Sequence, residues 1–355
     1  GTTCKIGLFD MNGTILEKWE IRTNTENNGA AILDDVAAAV LGKLDQKNIS
    51  KAEVQGIGLG VPGPVGNDGT VFKCVNLGWD ILNVEKEPAS PKEALVKVRD
   101  LVVVDENGKH AVDHVSFSLR KGEILGIAGV EGNGQTELVR AITGMGSYSR
   151  GTIEISGQDI KGYSVEKIRK LKLAHIPADR MTMGMAPHLS ITENMIADKL
   201  GWKRFFKSGV RDKRAVKEYG DEMVKQYLIF CKSQDVAINS LSGGNIQKAV
   251  LARELSGSPR VIIADQPTRG VDVGATEFIR RRLVEMRDEG NGVILVTSDL
   301  NEVLGLSDSL IVMYEGRIVA YISDTSRMTE NQLGTYMLGI QVQSEEEIKE
   351  ARHEQ

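Results

Sequence analysis

Cysteine is scarce in this chain: Cys4, Cys74 and Cys231 are its three thiols, an odd number with no Cys-x-x-Cys pair among them. That argues against a disulfide framework and a cysteine zinc site and leaves buried free thiols as the expectation. No run reaches the ~18 apolar residues a bilayer-spanning helix needs, and no basic, apolar and small-residue order marks a leader peptide. The expected compartment is the cytoplasm. Positive charge is not in excess either. Net charge is -5, and the first 87 residues carry 8 Lys/Arg against 12 Asp/Glu, which argues against nucleic acid as a partner. What the chain does have is 355 residues and 41% hydrophobic content, enough for about two domains with real cores. The one basic stretch, Trp202-Lys-Arg-Phe-Phe-Lys207 with Arg211, Lys213, Arg214 and Lys217, reads as a solvated face beside packed aromatics.

Chemistry enters at Gly129-Val-Glu-Gly132-Asn133-Gly134-Gln135-Thr136. The stretch has the outline of a phosphate-cradling loop, G-x-x-x-x-G-K-[ST], with Gln135 where lysine belongs. In such a loop glycines let backbone N–H groups close around phosphate oxygens, lysine reaches the β- and γ-phosphates, and the hydroxyl helps hold Mg²⁺. An apolar strand, Glu123 to Ala128, precedes it, and Thr136-Glu137-Leu to Thr143 has helical spacing. The helix N-terminus favours an anion even without lysine. The alternative is an ordinary glycine turn between strand and helix.

Before residue 87 a different fold is spelled out. Lys5 to Phe9 and Thr14 to Trp19 read as strands joined through Asn12-Gly13, Gly29 to Leu44 as an amphipathic helix, and Gln55 to Val61 as a glycine-laced buried strand ended by Pro62-Gly-Pro64. Gly1-Thr-Thr-Cys-Lys5-x-Gly7, Gly58-Leu-Gly-Val-Pro-Gly63 and Asn76-Leu-Gly-Trp79 resemble the ROK sugar kinases, which include bacterial glucokinases. The resemblance covers about the first quarter of such an enzyme. It implies a partial actin-like (ribonuclease H-like) α/β fragment over 1–86, without the family's phosphate-site aspartate, catalytic Asn-Asp pair or zinc loop. Kinase ancestry without kinase activity is the expectation, as is poor stability, because the strand at Gly56 to Val61 lacks its central neighbour. Residues 87–94 then read as a polar linker with Pro88 and Pro91. Asn83-Val-Glu-Lys-Glu suits both families, as a crossover at short shared sequence would leave it.

From residue 95 to 340 strands and helices alternate. Val96 to Val104 and Val112 to Leu119 are expected strands, and Val165 to Leu173 a helix. Ser190 and Glu193 have capping-box spacing for a helix through Leu200. Leu241-Ser242-Gly243-Gly244 opens a helix, and Val261 to Asp265 is an apolar strand ending in a carboxylate. Glycine loop, Leu-Ser-Gly-Gly helix start and carboxylate-ended strand come in the order of an ATP-binding cassette. The wording Gly-Ile-Ala-Gly-Val-Glu-Gly-Asn-Gly-Gln-Thr-Glu-Leu and Gln-Pro-Thr-Arg-Gly-Val-Asp-Val-Gly-Ala is similar to the C-terminal cassette of tandem ABC transporter ATPases serving simple-sugar and nucleoside importers.

That resemblance implies a P-loop nucleotide-binding domain with a helical subdomain, ATP held by Gly129 to Glu137, and Mg²⁺ held by Thr136 and Asp265. It places Gln266 at the position of the catalytic glutamate and Asp299 at that of the switch histidine. An amide cannot take a proton from water, and a carboxylate repels a γ-phosphate. The expected outcome is nucleotide binding with little turnover. The alternative is that Asp265 or Gln266 simply ends a strand and that Asp299 caps a helix. The signature, Ser242-Gly243-Gly244, is intact and by resemblance serves a nucleotide on a second cassette, with Asp272 in the dimer-contacting loop. Implied partners are that second cassette, membrane permease subunits contacted near His188 to Met195, and, indirectly, a solute-binding protein, at the inner face of the plasma membrane. The tail 341–355, with Ser344-Glu-Glu-Glu-Ile-Lys-Glu, reads as a solvated acidic helix.

Overall fold

Alternation along the first strands is matched by pairing: β1 (Thr3–Phe9) runs antiparallel to β2 (Ile15–Arg22), with Cys4 opposite Ile21 and Ile6 opposite Trp19. The computed structural model describes residues 3–10, 14–24, 31–54, 93–207 and 210–352. The predicted turn at Asn12-Gly13, the strand at Gln55 to Val61, Cys74, most of the linker and two of the three kinase-like motifs therefore lie outside the described residues. Helix α1 (Ile32–Gln46) is tied to β2 where Glu17 accepts from Lys43 at 2.9 Å and pairs with Lys47 at 2.6 Å. Ile32 and Leu44 are its buried side chains, while Phe9, Leu16 and Leu33 are each more than half exposed.

The chain divides into two compact units, Gly1–Asn83 and Val84–Gln355. The second opens with two long strands, β3 (Ala94–Val104) and β4 (His110–Arg120), followed by β5 (Ile124–Ala128) and α2 (Gln135–Thr143). Then come β6 (Arg150–Ile155), β7 (Gln158–Asp159), α3 (Val165–Lys170), β8 (Leu173–Ile176) and α4 (Ile191–Ile196). A short pair, β9 (Phe206–Lys207) and β10 (Val210–Arg211), leads to α5 (Lys213–Gln226), α6 (Gly243–Leu255), β11 (Val261–Asp265) and α7 (Val273–Asp288). The rest is β12 (Gly292–Val296), α8 (Leu300–Leu306), β13 (Ser309–Tyr314), β14 (Arg317–Ile322), α9 (Glu330–Met337) and α10 (Glu345–Ala351).

One six-stranded sheet, in the order β14-β13-β5-β12-β11-β8, carries the site, and β4-β3-β6-β7 form a four-stranded antiparallel sheet. From β13 to β8 every pairing is parallel, and every residue of β5 and β12 is buried. Burial on both faces is why these strands read as unbroken apolar runs. Val96, Phe117, Leu138 and Ile142 pack with one face of the large sheet. Met195, Tyr219, Met223 and Ile246 pack with the other, around Ile262 and Val293. Phe205 is buried there in edge contact with Tyr219, whereas Trp202 and Phe206 are exposed, so the basic stretch packs one of its three aromatics.

Four expectations need correction. The helix from Val165 ends at Lys170; Lys172 has φ 67°, and Leu173 begins the edge strand β8. The helix from Ser190 has its capping box but ends at Ile196, and Lys199 beyond it is buried, donating to Asp198 and to the Arg253 carbonyl. Cys4 and Cys231 are half-buried free thiols rather than core residues. The acidic tail helix is not wholly solvated, because Ile348 is 7% exposed and belongs to the same core as Leu119 and Tyr321.

Candidate nucleotide site

At the C-terminal end of β5 the chain passes through Gly129 to Gly134 and enters α2. Gly132 and Gly134 have φ of 93° and 98°, and any Cβ on Gly134 would collide with the Ala111 carbonyl. Only glycine lets the loop turn here without strain. Asn133 is bonded at both ends, its Nδ2 donating to the Val130 carbonyl at 3.1 Å and its Oδ1 accepting from the Glu315 N–H at 2.8 Å. Gln135 is buried, and its Nε2 donates to the Val130 carbonyl at 3.2 Å, so the residue at the lysine position braces the loop. Thr136 is exposed in the first turn of α2, and Glu137 beside it is half-buried.

Two strands away, β11 brings Asp265 to the same end of the sheet. Burial raises its carboxyl to about 6, with Arg269 opposing. No hydrogen-bond donor among the described residues reaches it. A half-buried carboxylate left open, together with an exposed threonine hydroxyl, is the hard oxygen donor set that Mg²⁺ takes, so the residues present fit that ion. Gln266 follows with φ 48°, its N–H donating to the Val296 carbonyl at 2.7 Å and its Oε1 accepting from Ser298 Oγ at 3.4 Å. Asp299 is the N-cap of α8: Oδ1 accepts from the Glu302 N–H at 3.2 Å, and Oδ2 pairs with Arg280.

The signature is arranged differently. Ser242 is the N-cap residue of α6, yet its side chain caps nothing; it is exposed, and its Oγ accepts from Asn245 Nδ2 at 2.9 Å. The N–H groups that open α6 are left without a side-chain cap, an arrangement that suits an anion. A Cβ on Gly244 would collide with the Asp272 carboxylate, and Asp272 is itself the N-cap of α7, accepting from Ala275 N–H at 2.9 Å. Signature and Asp272 loop therefore touch.

Sequence reasoning missed the residues that brace these segments. Arg280, Glu302, Glu254 and Lys199 are buried charged groups. Glu254 accepts from Arg169 at 2.9 Å, from Arg253 at 2.8 Å and from the His175 N–H at 3.2 Å. No local pattern marks them: Arg253 and Asp198 are sequence neighbours of Glu254 and Lys199, but Arg169, the His175 N–H and the Arg253 carbonyl reach them from elsewhere in the chain.

Residues 112–269 match the ABC transporter family model. The fold is also that of a nucleotide-free ATP-binding cassette from an ABC transporter, with TM-score 0.57 at 20% identity over 74% of this chain and 100% of that one. This segment is thus an ATP-binding cassette of the ABC transporter family. Among its relatives, the chain is 36% identical to the nucleoside import ATP-binding protein NupA of Lactococcus lactis, over 72% of this chain and 50% of that protein. It is 38% identical to the guanosine import ATP-binding protein NupO of Bacillus subtilis over the same shares, and 38% to the ribose import ATP-binding protein RbsA of Bacillus cereus, over 62% and 45%. The chain spans about half the length of these relatives.

Proposed function

We propose that this chain supplies an ATP-binding cassette to an importer of a simple sugar or nucleoside, and that its signature completes a nucleotide site on a second cassette. The observation that carries the reading is Ser242: an exposed hydroxyl at an uncapped helix N-terminus, on a sequence whose relatives are import ATP-binding proteins. The chain's own loop would bind ATP through the N–H groups of Gly129 to Thr136. Mg²⁺, when bound by Thr136 and Asp265, would neutralise phosphate charge. Gln266 has no basic group to take a proton from water, and Asp299 opposes a γ-phosphate. Turnover at this loop is therefore small, and ATP binding serves cassette closure.

Partners in this reading are the second cassette, permease subunits contacted near His188 to Met195 and, through them, a solute-binding protein. The assembly sits at the inner face of the plasma membrane; no helix among the described residues is long and apolar enough to cross it. The first unit we read as the partial ROK-kinase-like fragment, supported by its paired strands β1 and β2 and the motif Gly1 to Gly7. The division at 1–86, 87–94, 95–340 and 341–355 is part of the same reading.

ATP turnover of the chain alone and assembled with permease and an intact cassette tests the proposal. The assembled complex is expected to hydrolyse ATP, and Ser242→Ala to slow it by about 100- to 1000-fold, the scale of losing one oxyanion donor. Brisk hydrolysis by the isolated chain would overturn the proposal, and glucose phosphorylation would restore the kinase reading.

A further inference from the structure

Arg180 joins three segments that are far apart in sequence. It opens the turn Arg180–Gly184 after β8, whose start is held by Asp179 accepting from the Met181 N–H at 2.9 Å and the Thr182 hydroxyl at 2.6 Å. From there its guanidinium reaches the loop that follows β11, donating through Nη1 to the Arg269 carbonyl at 2.6 Å and through Nη2 to the Gly270 carbonyl at 3.0 Å. The same Nη2 lies against the signature, where a Cβ added to Gly243 would stand 2.9 Å from it. On the other side of that glycine pair, Gly244 packs on Asp272 with no room for a Cβ.

A planar fork that donates to two successive carbonyls fixes the distance between its own turn and that loop, which a point-like ammonium cannot do. No carboxylate among the described residues forms an ion pair with Arg180, so the contact is one of shape and carbonyl geometry rather than charge neutralisation. We propose that Arg180 is a positioning residue, which holds Ser242–Gly244 and the loop from Gln266 to Asp272 in one arrangement so that Ser242 and Asp272 reach a nucleotide on another cassette together. The inference rests on the reading above that the signature acts across the interface.

The test uses the full chain assembled with its permease and an intact cassette, comparing Arg180→Gln, Arg180→Lys and Ser242→Ala. Arg180→Gln is expected to lower kcat about tenfold with KM for ATP within about twofold, because nucleotide is held by the other cassette's loop. Arg180→Lys keeps one of the two bonds and recovers part of kcat. Amide hydrogen exchange in Arg180→Gln is expected to rise at 242–246 and 266–272 together, with β5 and β12 unchanged. If Arg180→Gln fails to fold, Arg180→Lys carries the comparison, with the same two segments loosening. Unchanged kcat in Arg180→Gln beside a lost kcat in Ser242→Ala overturns the role of Arg180 alone. A higher KM with kcat preserved does so as well. Unchanged kcat in Ser242→Ala overturns the proposed function, and exchange that rises in one segment without the other then overturns the coupling independently.

Discussion

Arg280 Nη2 stands 3.3 Å from Oδ2 of Asp299, and Nε of the same guanidinium stands 3.3 Å from Oε1 of Glu302. The Asp299 carboxylate is thus held on α8 by its cap and drawn toward α7 by a buried cation. Burial raises the Glu302 carboxyl, while Arg280, Thr268 and Thr297 oppose that shift. Asp299→Asn should keep the cap, whereas Asp299→Ala should destabilise the chain by about 1 kcal/mol in urea unfolding. Arg280→Met should cost about 3 kcal/mol, because it leaves Glu302 buried without its cation.

Gln135→Lys is expected to raise affinity for Mg-ATP at the chain's own loop by about tenfold without restoring hydrolysis, since Gln266 and Asp299 remain. The present glutamine spends its donor on Val130, so the change replaces a loop brace with a phosphate ligand. Calorimetric titration of the isolated chain reads the affinity, and phosphate release reads the turnover. Hydrolysis restored by this one substitution would show that Gln266 and Asp299 do not limit the site.

Two half-buried groups give opposite slopes of stability with pH. Asp265 is raised to about 6, so between about pH 4 and 6 the folded chain keeps a proton that the unfolded chain releases. Stability falls as pH rises through that window, and the full cost, on the order of 3 kcal/mol, is present above it. Asp265→Asn should therefore be more stable than the parent at pH 8 and equal to it near pH 3.5. His175 is lowered to about 4 by burial, with Glu254 opposing. Its contribution is whole above about pH 6.5 and is lost as pH falls toward 4, when only the unfolded imidazole takes a proton. His175→Leu should flatten that limb. Urea unfolding at each pH unit from 4 to 8 separates the two. Mg²⁺-dependent nucleotide binding should also weaken below about pH 6, where Asp265 is protonated.

Ile348→Ala should destabilise the second unit by about 2 to 3 kcal/mol, the usual loss for a buried aliphatic side chain. Glu347→Ala on the same helix should cost less, since its side chain only closes a capping box with Ser344. Thermal unfolding of both variants gives the comparison. Equal effects would mean that the tail is held by its cap and not by its core contact.

Strand and helix signals were legible wherever burial and local pattern agree. Val261–Asp265 falls on the expected apolar run, and the Ser190 capping box is formed as spaced. Edge strand β8 was not legible because Leu173 to Ile176 is too short to show a period, and it becomes a strand only by pairing with β11. Ile348 shows the same limit: six of the seven residues from Ser344 to Glu350 are polar, and the seventh is drawn into the core by a neighbour no local pattern reveals.

The sequence by itself determined the order glycine loop, Leu-Ser-Gly-Gly start and carboxylate-ended strand, because each is a local device of backbone and side-chain type. By resemblance to tandem ABC ATPases it also puts Gln135, Gln266 and Asp299 where lysine, glutamate and histidine are expected. Only the tertiary structure decided what these residues touch: Gln135 braces its own loop, Asp299 caps α8 beside Arg280, and Ser242 leaves its helix uncapped while accepting from Asn245. Those outcomes depend on which donors and acceptors other elements bring within about 3 Å, a distance that spacing along the chain does not encode.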